Sequence, residues 1–228
     1  MFFIALDFSD FKSFKSFVDK TIDIHKLYKV GLELFSAEGF KVIEYLKIRG
    51  ATVFLDLKLE DIPNTVSRTI KVLNNFDIDY LTLHVSGGRD MLVSARESTD
   101  RIKLLGVTVL TSLNQEDLKD IGISLPMSAL TIKRSFLAKE CGLDGVVVSG
   151  IYVKKIKETI GRNFLTIVPG VRLEFYSKAN DQKQIITPRE AIKNGADFLV
   201  IGRAITNSED PVEAINKVIL EIKNAQIF

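Results

Sequence analysis

Cysteine occurs once in the 228 residues, at Cys141, so no disulfide can form within the chain, and such usage fits a reducing compartment. Burial as a small apolar side chain is the ordinary role for a lone cysteine. Long apolar runs are lacking too. Residues 1–6 are apolar, but Asp7 ends the run and no basic segment precedes it, which reads as neither a signal peptide nor a membrane span. The expected address is the cytoplasm. Neither sign of charge is in excess: 31 Lys plus Arg stand against 29 Asp plus Glu, a formal net charge of +2, without a basic block or tail. Composition therefore gives no case for nucleic acid as a partner. No G-x-G-x-x-G follows the first apolar run, which weakens the case for a doubly wound dinucleotide-binding sheet. No linker, low-complexity tract or sequence repeat divides the chain.

What is present describes an ordinary globular protein, 46% hydrophobic and 26% charged. Apolar, β-prone runs at residues 2–7, 27–32, 52–57, 80–84, 103–110, 145–149, 164–169 and 198–201 read as eight strands. Between and after them, residues 11–21, 37–47, 64–74, 89–97, 127–141, 153–160, 188–193 and 211–223 carry helix-period apolar residues. Pro188 and Pro211 mark helix starts, and Gly50, Gly142 and Gly195 mark helix ends. Near-continuous Val/Ile/Leu runs suit parallel strands buried on both faces. Eight βα units without a break in composition predict one closed (β/α)8 barrel over residues 1–228, a fold of ~250 residues in its usual form.

The ends of the strands carry the chemistry. Strand one ends at Asp7, strand two holds Lys29, and strand three carries Asp56 and Lys58, followed by Asp61. Strand four ends at His84, strand five leads to Thr111 and Ser112, strand seven to Pro169-Gly170-Val171-Arg172, and strand eight to Gly202-Arg203. Charged and polar groups therefore gather at one rim, the catalytic rim of this fold, where a purely structural protein has little reason to put them. Along a strand, Asp56 and Lys58 point the same way. Taken alone, Asp56-x-Lys58-x-x-Asp61 also reads as a structural ion pair with Asp61 capping the helix that Pro63 opens. The aperiodic connection over residues 171–187 is long enough to be functional. Arg172, Gln182 and Arg203 around it, with the backbone of Gly202, suit one phosphate after strands seven and eight.

These residues resemble the orotidine 5′-monophosphate decarboxylase family. The matching pieces run in order across almost the whole chain: Ala5-Leu6-Asp7, Tyr28-Lys29-Val30-Gly31, Phe54-Leu55-Asp56-Leu57-Lys58-Leu59-Glu60-Asp61-Ile62-Pro63-Asn64-Thr65, Leu83-His84, Thr108-Val109-Leu110-Thr111-Ser112, Pro169-Gly170-Val171-Arg172, Asp181-Gln182 and Val200-Ile201-Gly202-Arg203-Ala204-Ile205-Thr206. The resemblance implies decarboxylation of orotidine 5′-monophosphate to uridine 5′-monophosphate in pyrimidine biosynthesis, with no metal and no cofactor. It implies a charge array of Lys29, Asp56, Lys58 and Asp61, with Lys58 as proton donor to C6. It further implies a homodimer in which Asp61, Ile62 and Thr65 reach into the neighbouring subunit's site. Asp7, Lys29, Asp61 and Thr65 would hold the ribose, and Thr111 or Ser112 the pyrimidine edge. Gln182 and Arg203, with Arg172, would hold the phosphate beside Pro169 and Gly202. His84 reads as structural support and His25 as exposed.

The chemistry is consistent with that assignment. Loss of CO2 from C6 leaves an electron pair that the ring cannot delocalise, so a fixed ammonium must stabilise it and then supply the proton. Flanking carboxylates favour the charged form of such a lysine. Two rivals stand beside this reading. One is a metal-dependent sugar-phosphate decarboxylase or aldolase of the same structural group, for which Lys29 is a poor neighbour to Mg²⁺ and Glu33 the only nearby ligand. The other is a non-catalytic nucleotide-binding barrel, which needs the phosphate rim but not the array.

Overall fold

The chain is described from a computed structural model covering residues 1–173 and 186–226. Eight parallel strands close a barrel in sequence order: β1 (Phe2–Ala5), β2 (Leu27–Val30), β3 (Thr52–Leu59), β4 (Tyr80–His84), β5 (Lys103–Val107), β6 (Gly145–Val147), β7 (Leu165–Val168) and β8 (Phe198–Ile201). The expected (β/α)8 architecture is the one observed. Helices α1 (Phe11–Thr21), α2 (Leu32–Glu38), α3 (Lys41–Ile48), α4 (Pro63–Leu73), α5 (Gly88–Glu97), α6 (Gln115–Asp120), α7 (Met127–Glu140), α8 (Gly150–Thr159), α9 (Pro188–Lys193), α10 (Arg203–Thr206) and α11 (Pro211–Gln226) lie between and after the strands. Among the described residues no helix is long and apolar enough to cross a membrane.

Several boundaries differ from the sequence reading, each for a local reason. The first, second, fifth, sixth and seventh strands stop short of their apolar runs. Leu6, Val109 and Val148 are buried beyond the ladders, so apolarity continues where strand pairing has ended. The single helix expected over 37–47 is two, α2 and α3, broken at Gly39 with φ +59. Helix α6 was not anticipated, although Asn114 and Asp117 form a reciprocal capping box at its start.

Period-two alternation builds the barrel interior in layers. Phe3, Phe54, Tyr80, Leu105, Ile167 and Phe198 form one buried cluster, and Phe3 meets the rings of Phe54, Tyr80 and Phe198 at centroid distances of 5.1–5.4 Å. This is the floor. Two residues further along their strands come Ala5, Asp56, Val107 and Val200, which line the cavity above it together with Lys29. The helices cover the outside through a second, larger core that includes Phe14, Leu46, Ile70, Leu92, Ile156 and Val218.

The opposite, N-terminal end is stitched by a device used three times. An aspartate just before an even strand accepts the N–H of a residue in the preceding strand and pairs with a cation from the helix before that. Asp79 takes Val53 N–H at 2.7 Å and Lys47 at 2.9 Å. Asp144 takes Leu104 N–H at 2.8 Å and Arg96 at 2.9 Å. Asp197 takes Thr166 N–H at 2.7 Å and Lys157 at 2.6 Å. In front of β2 the pattern lapses. His25, expected to be exposed, is only 9% exposed and stacks on Phe2 at 4.3 Å. Burial, the largest influence, pulls its pKa down to about 4, so at neutral pH it is an uncharged ring.

Candidate active site

The site begins with a break in strand β3. Leu55 pairs with Leu81 and Leu59 with Leu83, so four steps on β3 face two on β4 and the register shifts. The slack is taken up near Lys58, whose φ of +51° lies in the left-handed region. A side chain with a Cβ pays about 1–2 kcal/mol for that conformation, so the surroundings must hold it. The simple alternation expected for Asp56 and Lys58 therefore does not describe the backbone. Their charged ends nevertheless meet, with Lys58 Nζ 2.9 Å from Asp56 Oδ1.

Three more groups complete the cluster. Lys29 Nζ from β2 lies 3.5 Å from Asp56 Oδ2 and 3.7 Å from Asp7 Oδ1. The Thr82 hydroxyl from β4 donates to Asp56 Oδ1 at 2.9 Å. Burial would raise the Asp56 pKa, but the ammoniums of Lys29 and Lys58 and the hydrogen bonds from Lys58 and Thr82 outweigh it and hold the carboxyl below its ordinary value. Asp56 is thus an anion shared by two cations. Gly31 leaves room for this: a Cβ there would stand 3.0 Å from Lys29 Nζ.

Asp7, Lys29, Asp56, Lys58, Thr111, Pro169, Arg172, Gly202 and Arg203 all border one cavity of about 270 Å³. Thr111 belongs to its lining and Ser112 does not. On one side the cavity is bounded by the segment from Pro169 to Arg172 and by Gly202, which precedes the short helix α10. A Cβ on Gly202 would come within 3.3–3.4 Å of Ala5 Cβ and Asp7 Oδ2, so the turn packs closely on β1. The feet of the long connection meet, Arg172 N–H donating to Ile186 O at 2.9 Å. Gln182 lies outside the described residues.

Asp61, Ile62 and Thr65 are not brought to this cavity. All three are exposed, Ile62 to 66%. Asp61 does not cap helix α4; among the described residues its carboxylate accepts only the neighbouring Ile62 N–H at 2.6 Å, and the N-cap position is Ile62. Of the array expected from the sequence, one chain brings together Lys29, Asp56 and Lys58, joined by Asp7, while Asp61 is exposed. His84 is partly buried, and desolvation, the largest influence, lowers its pKa against the pull of Glu60. Sequence reasoning missed Thr82, fully buried beside Asp56. Its signal was a hydroxyl at the same strand parity as Tyr80 and His84, inside an otherwise apolar run.

Known proteins resemble this chain over most of its length. The model of the Orotidine 5'-phosphate decarboxylase / HUMPS family matches residues 1–218. Orotidine 5'-phosphate decarboxylase of Ehrlichia canis is 44% identical over 198 residues, covering 86% of each chain. That of Geobacter sp. is 42% identical over 226 residues, covering 96% of this chain and 94% of its own. The crystal structure of orotidine 5'-phosphate decarboxylase from Lactobacillus acidophilus superposes with a TM-score of 0.85 at 34% identity, covering 97% of this chain and 98% of that one. The chain belongs to the orotidine 5′-phosphate decarboxylase / HUMPS family.

Proposed function

We propose that this member of the family decarboxylates orotidine 5′-monophosphate to uridine 5′-monophosphate, with Lys58 opposite C6. The observation that carries the reading is the Asp7–Lys29–Asp56–Lys58 chain of charges, which borders the same cavity as the Arg172 and Arg203 segments. The C6–carboxylate bond breaks, its electron pair stays on C6, and CO2 leaves. The Lys58 ammonium stabilises that pair and then transfers a proton to it, after which solvent restores the ammonium. Asp56 fixes the ammonium in place and, lying near the departing carboxylate, opposes its charge. Lys29 and Asp7 take the ribose hydroxyls, Thr111 the pyrimidine edge, and Gly202, Arg203, Arg172 and Gln182 the phosphate, next to Pro169. Binding energy gathered at the phosphate, remote from C6, is what the reaction can draw on.

The reading needs no metal and no organic cofactor. The two ammoniums of Lys29 and Lys58 stand between and beside the carboxylates, so a divalent cation there would meet like charge. Asp61, Ile62 and Thr65 are exposed and absent from the lining of their own cavity, which supports a dimer in which each chain completes its partner's site. A barrel that only bound nucleotides would have no use for an aspartate buried between two lysines.

The test is the loss of orotidine 5′-monophosphate absorbance with purified protein, with and without EDTA. Rapid loss unchanged by EDTA, with uridine 5′-monophosphate as product, is the expected result. Loss that EDTA abolishes would favour a metal-dependent sugar-phosphate enzyme, and no loss at all a binding protein.

A further inference from the structure

Lys58 needs something to hold it, and the structure shows what does. Its backbone stands at φ +51° immediately before the register between β3 and β4 resumes at Leu59 and Leu83. In this strained stretch the Lys58 N–H does not join the strand ladder. It donates to Thr82 Oγ1 at 2.8 Å. The same hydroxyl donates its proton to Asp56 Oδ1 at 2.9 Å, and that carboxylate oxygen also receives Lys58 Nζ at 2.9 Å. One fully buried hydroxyl thus bonds both ends of a single residue, the amide directly and the ammonium through Asp56.

We propose that Thr82 is a positioning residue for the decarboxylation assigned above, fixing the left-handed turn at Lys58 and the Asp56 carboxylate as one rigid unit. The inference rests on Lys58 being the group at C6. The geometry gives the hydroxyl two directional roles at once, as acceptor from the amide and donor to the carboxylate. Both use its bonding capacity at a position that is itself fully buried. Serine keeps both bonds. Valine has the same shape and neither bond, leaving the Lys58 N–H and one Asp56 lone pair without partners in a buried setting. The turn then relaxes toward ordinary strand geometry and the ammonium moves. A displacement of about 1 Å at a reacting group costs on the order of 10²-fold in rate.

The experiment compares Thr82→Val and Thr82→Ser with the wild type in orotidine 5′-monophosphate turnover, with thermal melts to count folded protein. Thr82→Val is expected to lower kcat by about 10²-fold with KM changed only a few-fold, because the phosphate contacts are distant. Thr82→Ser is expected to stay within a few-fold of wild type in both. Equal kcat for the valine variant and wild type would overturn the proposal, as would equal losses in the valine and serine variants. If the valine chain does not fold, Thr82→Ala is compared with Thr82→Ser by the same criterion, and equal kcat there overturns it too. An inactive wild type would instead refute the assigned reaction, which keeps the two failures apart.

Discussion

The two ends of this barrel carry the same kinds of charge and use them differently. At the N-terminal end, Asp79, Asp144 and Asp197 each accept a cation and a backbone N–H, Asp197 the Thr166 hydroxyl as well, so the charge is tied to the strand beside it. At the C-terminal end, Asp56 takes two lysines and a threonine hydroxyl, and its partners face a cavity. A rim rich in charge is therefore not by itself a sign of catalysis, since both rims have one. What distinguishes the cavity rim is its accounting: Asp56 is held by side chains alone and borders the cavity, whereas each N-terminal aspartate also accepts a main-chain N–H and so ties one strand to the next.

The contrast can be broken at either end. Lys58→Ala is expected to have the largest effect, lowering turnover by about 10⁴-fold or more while the melting temperature and phosphate-ester binding stay near those of wild type. Turnover retained in that variant would remove Lys58 from the chemistry. Mixing it with Asp61→Ala protomers should recover part of the rate, and no recovery in dimers shown to have exchanged would argue against a shared site. At the other end, Asp197→Ala removes the carboxylate that accepts from the Thr166 N–H, the Thr166 hydroxyl and Lys157. We expect a stability loss of roughly 3 kcal/mol, or a Tm lower by about 5–10 °C, with kcat per folded site unchanged. A fall in kcat that outweighs the fall in Tm would mean that the two ends are not separate.

The smallest expected effect is at His25, where the anchoring pattern lapses. Its pKa is pulled down to about 4 in the folded chain from 6.5, so between those values the unfolded chain binds a proton that the folded one does not. Stability then falls as pH drops through that window, with a slope of at most about 1.4 kcal/mol per pH unit, and is unaffected above it. His25→Gln should flatten that slope in denaturant titrations across this range. An unchanged slope would assign the pH dependence to the carboxylates instead.

Much of this was legible in the sequence because it depends on period. The eight apolar runs found all eight strands, and Gly50, Gly142 and Gly195 do end helices, each with positive φ. Asp7, Lys29, Asp56 and Lys58 could be assigned to one rim because strand ends in a barrel share a rim whatever their spacing. What escaped was set by tertiary register. The left-handed turn at Lys58 exists because β3 and β4 are out of step, and no local propensity in Leu57-Lys58-Leu59 announces it. Thr82 escaped with it, since its partner is decided by that slip. His25 was misjudged because its burial comes from Phe2, far away in the chain. Two of the three anchoring aspartates left a weak trace, Gly-x-Asp at Gly142-Leu143-Asp144 and Gly195-Ala196-Asp197, too short to read as a repeat.

Those anchors also partition the chain. Each one joins a helix to the two strands that follow it: α3 with β3 and β4, α5 with β5 and β6, α8 with β7 and β8. No anchor bridges the connection from β4 to α5, or the one from β6 to α8. A chain opened between Gly87 and Gly88 would keep every stitch inside one fragment, so the barrel comes apart most naturally into blocks of paired βα units that carry their own fasteners.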